Sequence, residues 1–158
     1  MLRFRISGIS EDLAHTARTT LRSPQYGHPA HVETASGYGP CRLCLEPFRE
    51  GEEQRILFTY QPFVSPGALP SPGPVFIHQE PCRRYDDLSF PEKLRSIPLV
   101  LESYGAGGRR LAQERVGARM VEDVLVELLG NPMAEYIHVR NAEAGCYIAR
   151  VEQVFPCD

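Results

Sequence analysis

Four residues of this chain have the types and spacing of a metal site: Cys41-x-x-Cys44 followed by His78-x-x-x-Cys82. Zinc takes four nitrogen or sulfur ligands at tetrahedral angles, and two ligands a few residues apart in a turn can reach one ion together. Pro40 precedes the first pair, and Pro47 and Gly51 follow it, so a tight knuckle is expected there. His78 ends a predicted strand, and Pro81 bends the chain just ahead of Cys82. Closed in this way, three cysteines and one histidine would tie both ends of the intervening Pro-rich stretch and offset the cost of ordering it. The alternative is four ordinary residues, because cysteine is among the most buried residue types and an isolated Cys-x-x-Cys is often core. The interval between the two halves is also long for a self-contained finger.

Two other chemistries of these cysteines are less well supported. A redox dithiol needs its first thiol at a helix N-terminus, where the dipole lowers its pKa. Here Leu45-Glu46-Pro47 follows Cys44 and blocks a continuing helix. Cys41-Arg-Leu-Cys44-Leu-Glu-Pro-Phe48 also resembles the opening of a RING finger, which would need two interleaved ligand sets. The remaining candidates, His78, Cys82, His138, Cys146 and Cys157, are not spaced in the required pairs, so a ubiquitin ligase is not expected.

A second cluster lies in Tyr136-Ile-His-Val-Arg-Asn-Ala-Glu-Ala-Gly-Cys-Tyr147. On a strand, Ile137 and Val139 point one way and Tyr136, His138 and Arg140 the other. An arginine or protonated histidine beside a thiol lowers the thiol pKa. Arg140 would then hold an anion, His138 would act as acid or base, and Cys146 would be the nucleophile. The plainer reading is the polar face of a hairpin with Cys146 packed inward. His78 and His138 would converge if their strands were neighbours. His15, His28 and His31 have no ligand-like companions, and Cys157 is expected to be too frayed to serve.

The composition bounds what such sites can serve. The chain has 158 residues, 42% apolar and 23% charged, which is ordinary for a globular protein and predicts one domain over residues 1–158. Its formal charge is −3 with Lys and Arg scattered, so nucleic-acid binding through phosphate neutralisation is not expected. No stretch approaches the ~20 apolar residues that span a bilayer. Met1-Leu-Arg-Phe-Arg-Ile-Ser7 alternates charged and apolar residues and is not a secretory signal, which points to the cytoplasm. Five cysteines in a reducing compartment read better as metal ligands or buried small hydrophobes than as disulfides.

The elements that must position these residues are mostly strands. Leu2 to Ile6 alternates and presents Leu2, Phe4 and Ile6 to one face. Ser10-Glu-Asp-Leu13 is a helix start, with the helix running to about Arg22 before Pro24. A brief strand is expected over 30–34, then strands over Gln54–Tyr60 and Pro74–His78. A Pro/Gly-rich loop covers about 61–74, with five prolines, so neither helix nor central strand runs through it. Ser89-Phe-Pro-Glu92 has capping-box spacing and predicts a short helix to about Ser96. Leu99–Tyr104 and Arg109–Val116 flank Gly105-Ala-Gly-Gly108 as a hairpin. The clearest helix is Ala118–Leu129, with Val121, Val124, Leu125 and Leu128 on one stripe and Gly130-Asn-Pro132 stopping it. Glu135–Arg140 and Cys146–Gln153 form a final hairpin. The predicted class is α+β, a mainly antiparallel sheet with two or three helices packed on one face.

One resemblance spans the chain. Gly39-Pro-Cys-Arg42, Gly51-Glu52, Gly73-Pro-Val-Phe-Ile-His78, Tyr104-Gly-Ala-Gly-Gly108 and His138-Val-Arg-Asn-Ala-Glu-Ala-Gly-Cys-Tyr147 occur in an order that resembles a bacterial domain-of-unknown-function family, number 1203. It runs from Arg3-Phe-Arg-Ile-Ser-Gly8 to Ala149-Arg-Val-Glu152, and its final His…Gly-Cys-Tyr segment is the most specific part. The resemblance implies a bacterial soluble protein. It also implies that zinc is a subgroup feature, because some members carry Arg-Val-Ser after the residue equivalent to Cys41. Taken together, the expectation is a cytoplasmic, non-catalytic module that binds a small molecule or a protein, neither nucleic acid nor membrane, with zinc as its one cofactor. A small enzyme or anion-binding protein using His138, Arg140 and Cys146 is the alternative.

Overall fold

A computed structural model describes residues 3–37, 39–62 and 72–155. Among the described residues, nine strands divide between two antiparallel sheets, where the sequence alone predicts one. The larger sheet has the order β5-β1-β9-β8-β6-β7, built from β1 (Arg3–Ser7), β5 (Asp86–Asp87), β6 (Leu99–Tyr104), β7 (Arg110–Arg115), β8 (Tyr136–Asn141) and β9 (Tyr147–Val154). The smaller has the order β2-β3-β4, from His31–Thr34, Gln54–Tyr60 and Gly73–His78. The α+β class with antiparallel pairing holds. The division into two sheets arises because β1 pairs with β9, Ile6 against Val151, and not with the strands next to it in sequence.

Each sheet carries one helix. Helix α1 (Glu11–Thr20) starts where Ser10 accepts the Leu13 amide at 3.1 Å on its hydroxyl, satisfying a donor that the first turn leaves over. Its buried residues are Ala14 and Ala17, whose small side chains let the helix lie close to the core formed by Ile56, Phe58, Val75 and Ile77. Helix α2 (Val121–Leu129) buries Val121, Val124, Leu125 and Leu128 as its stripe predicts, against Leu101, Ile137, Val139 and Ile148 of the larger sheet. It starts three residues later than expected, because the Arg119 amide closes a turn onto the Val116 carbonyl first.

Two local expectations change. Glu92–Ser96 is a 3-10 turn, and its capping box does not form, because the turn begins with Pro91, not Ser89, at the cap position and has no side-chain cap. The Gly105–Gly108 reversal is a hairpin between β6 and β7, with Gly107 and Gly108 at φ of 71° and 75°, values that residues with a Cβ avoid. Leu2, most of the Pro/Gly-rich loop (63–71) and Cys157 lie outside the described residues. No described helix is long and apolar enough to cross a membrane.

Candidate metal centre

The segment Pro40–Pro47 forms the expected knuckle and sends one leucine into each of the two cores. The Leu45 amide donates to the Cys41 carbonyl at 2.8 Å, and the Cys41 amide to the Glu46 carbonyl at 2.9 Å, so the chain reverses within one turn. Leu45 takes the left-handed conformation, φ 61°, which this reversal needs. Its side chain enters the core of the larger sheet, and that of Leu43 enters the core of the smaller one. Burying each contributes about 1.5–3 kcal/mol, which offsets the cost of a positive φ at a branched residue.

The knuckle's backbone is fixed from three sides. Arg42 donates its amide to Phe76 of β4, while the Arg42 carbonyl accepts from Ile9 and the Leu43 carbonyl from Tyr85, all at 2.9 Å. Gly8 sits directly against this turn: a Cβ there would lie 2.2 Å from the Leu43 oxygen and 2.5 Å from the Arg42 oxygen. The buried guanidinium of Arg42 reaches the other way, donating to the Tyr147 carbonyl of β9 at 2.6 Å and to the Pro40 carbonyl. Burial lowers its pKa to about 10, within the charged range at neutral pH.

Cys41, Cys44, His78 and Cys82 come together, with all four ligating atoms within 4.8 Å of one another. Cys41 Sγ lies 3.8 Å from Cys82 Sγ, and Cys44 Sγ lies 3.5 Å from His78 Nδ1. Bonds of ~2.3 Å to sulfur and ~2.0 Å to nitrogen at tetrahedral angles give edges of about 3.8 Å and about 3.5 Å. The two spacings therefore match one ion at the centre. Cys41 and His78 are buried; Cys44 and Cys82 are half-buried.

Surrounding groups orient the ligands. His78 presents Nδ1 to the sulfurs and pairs through Nε2 with Glu53 Oε2 at 2.8 Å, the carboxylate–histidine arrangement that fixes tautomer and ring in metal sites. Glu53 is anchored through Oε1, which accepts the Arg49 amide at 2.8 Å. Arg18 of α1 donates through Nε to the His78 carbonyl at 3.0 Å and through Nη2 to Cys82 Sγ at 3.3 Å. The His78 amide points at Cys41 Sγ, 3.4 Å away. Such donors favour thiolates over thiols.

The titration behaviour of the cluster describes crowded negative charge. Burial pushes the Cys41 thiol up, but hydrogen bonds from Cys44, Cys82 and His78 together pull it below the ordinary thiol range. Cys44 is pushed up, first by its hydrogen bonds to Cys41 and Cys82. His78 rises to about 10 through hydrogen bonds to Cys41 and Cys82. Three sulfurs this close cannot all ionise without a cation among them, and a divalent ion supplies that charge. The cluster could thus bind a metal such as zinc.

The second predicted cluster is placed differently from a thiol site opening on solvent. His138 is fully buried between Tyr104, Tyr136 and Tyr147, with ring centroids 5.0–5.1 Å away. Burial lowers its pKa to about 3, helped by Arg140 and Arg150. Arg140 lies 2.6 Å from buried Glu102 and donates to the Gly145 carbonyl at 3.0 Å. Cys146 is half-buried beyond the end of β8, with its sulfur 4.0 Å from the Ala144 carbonyl. His78 and His138 belong to separate sheets and do not form a joint site.

Glu53, Arg18 and Gly8 carry no motif in the sequence. Glu53 comes near His78 because the β3–β4 register pairs His78 with Arg55, two residues further on.

A family model matches residues 38–153, a span from the knuckle to β9 that contains all four ligands. The chain belongs to the family described as Protein of unknown function (DUF1203). The family segment begins after β1 and α1, so Gly8 and Arg18 act on it from outside. Neither a curated protein nor a solved structure matches the chain.

Proposed function

We propose that this protein is a non-catalytic binding module, cytoplasmic and bacterial, whose two sheets are stapled by a structural zinc ion held by Cys41, Cys44, His78 and Cys82. The carrying observation is the pair of ligand spacings, 3.8 Å between sulfurs and 3.5 Å between sulfur and imidazole nitrogen. Four protein ligands complete a tetrahedron and leave no position for water or substrate, which is the pattern of structural rather than catalytic zinc. The placement of the cluster supports the same role. Its knuckle contributes one leucine to each core, and its last ligand, Cys82, leads into the strand that edges the larger sheet.

Metal analysis tests this. Protein purified without added zinc should carry about one zinc per chain, and cobalt(II) in its place should give the visible absorption of tetrahedral thiolate coordination. A metal-free preparation that stays folded and takes up neither ion would overturn the reading.

A further inference from the structure

A cavity of about 730 Å³ opens at the end of the larger sheet, where the Glu92–Ser96 turn, the last residue of β7 and the first residues of α2 meet. Its volume is in the range of small-molecule sites, about 300–1,000 Å³. The floor is core side chain: Ile97, Leu99, Val116 and Val121 are each at least nine-tenths buried yet line it. Met120 also lines the cavity and is 58% exposed. The backbone around the floor is fixed, with Val116 donating to Leu99 at 3.0 Å and Ala142 donating to Pro98 at 2.7 Å.

The rim is basic. Arg95, Arg115 and Arg119 line the cavity against a single acid, Glu92. Arg95 is neutralised by Glu92 at 3.0 Å and by a two-pronged pair with Glu122, so it braces the wall. Arg119 is held near the opening by the Val116 and Arg115 carbonyls, and its carboxylate partners, Glu114 at 3.4 Å and Glu127 at 3.5 Å, are long and exposed. Arg115 makes no ion pair among the described residues. Arg115 therefore lines the opening without a carboxylate partner, and Arg119 with long, exposed ones, above an apolar floor.

We propose that this cavity binds a small amphipathic anion, with an apolar body on Ile97, Leu99, Val116 and Val121 and an acidic head on Arg115 and Arg119. The guanidiniums supply charge-assisted hydrogen bonds to an acidic head, and the buried side chains beneath them, Ile97, Leu99, Val116 and Val121, are apolar. The proposal rests on the binding-module reading and is independent of zinc, because none of the four ligands lines the cavity.

The test uses the zinc-loaded protein, with metal content measured in the same sample, and 8-anilinonaphthalene-1-sulfonate as a fluorescent probe. The expected result is saturable binding of one probe per chain, displaced by decanoate but not by decanol, which has the same chain without the charge. Arg115→Glu should weaken probe binding by at least about tenfold, the weight of one charge-assisted contact, while Arg115→Lys stays within about threefold. Arg115 is exposed and unpaired among the described residues, so neither variant threatens the fold. Probe binding unchanged by Arg115→Glu, equal displacement by decanol, or no saturable binding in a sample with one zinc per chain would each overturn the proposal. Saturable, Arg115-dependent binding in a sample without zinc would uphold it and overturn the zinc staple alone.

Discussion

Glu53 grips His78 by the ring nitrogen that faces away from the sulfurs, its Oε2 2.8 Å from Nε2. With a metal bound, this contact favours the ring proton on Nε2 and leaves Nδ1 to act as the ligand beside Cys44, Cys41 and Cys82. Glu53→Gln keeps the shape but removes the charge that draws the ring proton. Metal affinity should fall about 10–100-fold, as for other outer partners of metal-bound histidines. Competition against a chromophoric chelator measures it, and an unchanged affinity would mean that Glu53 does not act through the ring.

Stripping the metal should cost more than any single side chain. Apparent binding energies of structural zinc, about 10–16 kcal/mol, match or exceed the whole stability of an ordinary domain, about 5–15 kcal/mol. Excess chelator should lower the melting temperature by at least about 10 °C, and zinc added back should restore it. An unshifted melting curve after confirmed metal loss would show that the knuckle holds without its ion.

Gly8→Ala tests the close approach of the first strand to the knuckle. The new methyl would lie 2.2 Å from the Leu43 oxygen, so the backbone of one or the other must move. The loss expected is about 2–4 kcal/mol in chemical denaturation, at the upper end for overpacking because both neighbours are backbone. Metal affinity should fall with it, since Leu43 lies between two ligands in sequence.

Acid sensitivity should trace in part to His138. Its folded pKa is about 3 against an ordinary 6.5, because burial and then Arg140 and Arg150 oppose the charged ring. Between those values the unfolded chain binds a proton that the folded chain does not. This contribution is fully present above about pH 6.5 and is lost as the pH falls towards 3, by about 1.4 kcal/mol per unit. His138→Gln should flatten the fall in stability between neutral pH and about pH 5 by roughly 2 kcal/mol, read from urea transitions. Protonation of the metal ligands acts on both proteins alike and cancels in the difference. Equal slopes would mean that the ring is protonated in the folded state.

The legible parts of this molecule are those whose causes lie within a few residues. Ser10 announces α1 because its hydroxyl serves an amide three positions on, and the stripe from Val121 to Leu128 announces α2 because one face must be apolar. The four ligands were legible for the same reason, since each pair closes within a turn. The division into two sheets was not, because it depends on β1 choosing β9 across nearly the whole sequence. Arg18 and Gly8 escaped notice because their partners, Cys82 and Leu43, are set by how α1 and β1 pack. Ser89 has the right spacing for a cap, but the turn starts two residues later, from Pro91.

The pairing of β1 with β9 also sets an order of events during synthesis. Everything from β2 to Cys82 is contiguous, so the smaller sheet and its four ligands can assemble with short closures while the rest of the chain is still being made. The larger sheet cannot, because its second strand has no long partner until the last one emerges. Until then β1 keeps an unpaired edge, exposed to any other strand that will accept it. Among the described strands, the C-terminal one is thus the one that covers the edge of the N-terminal one.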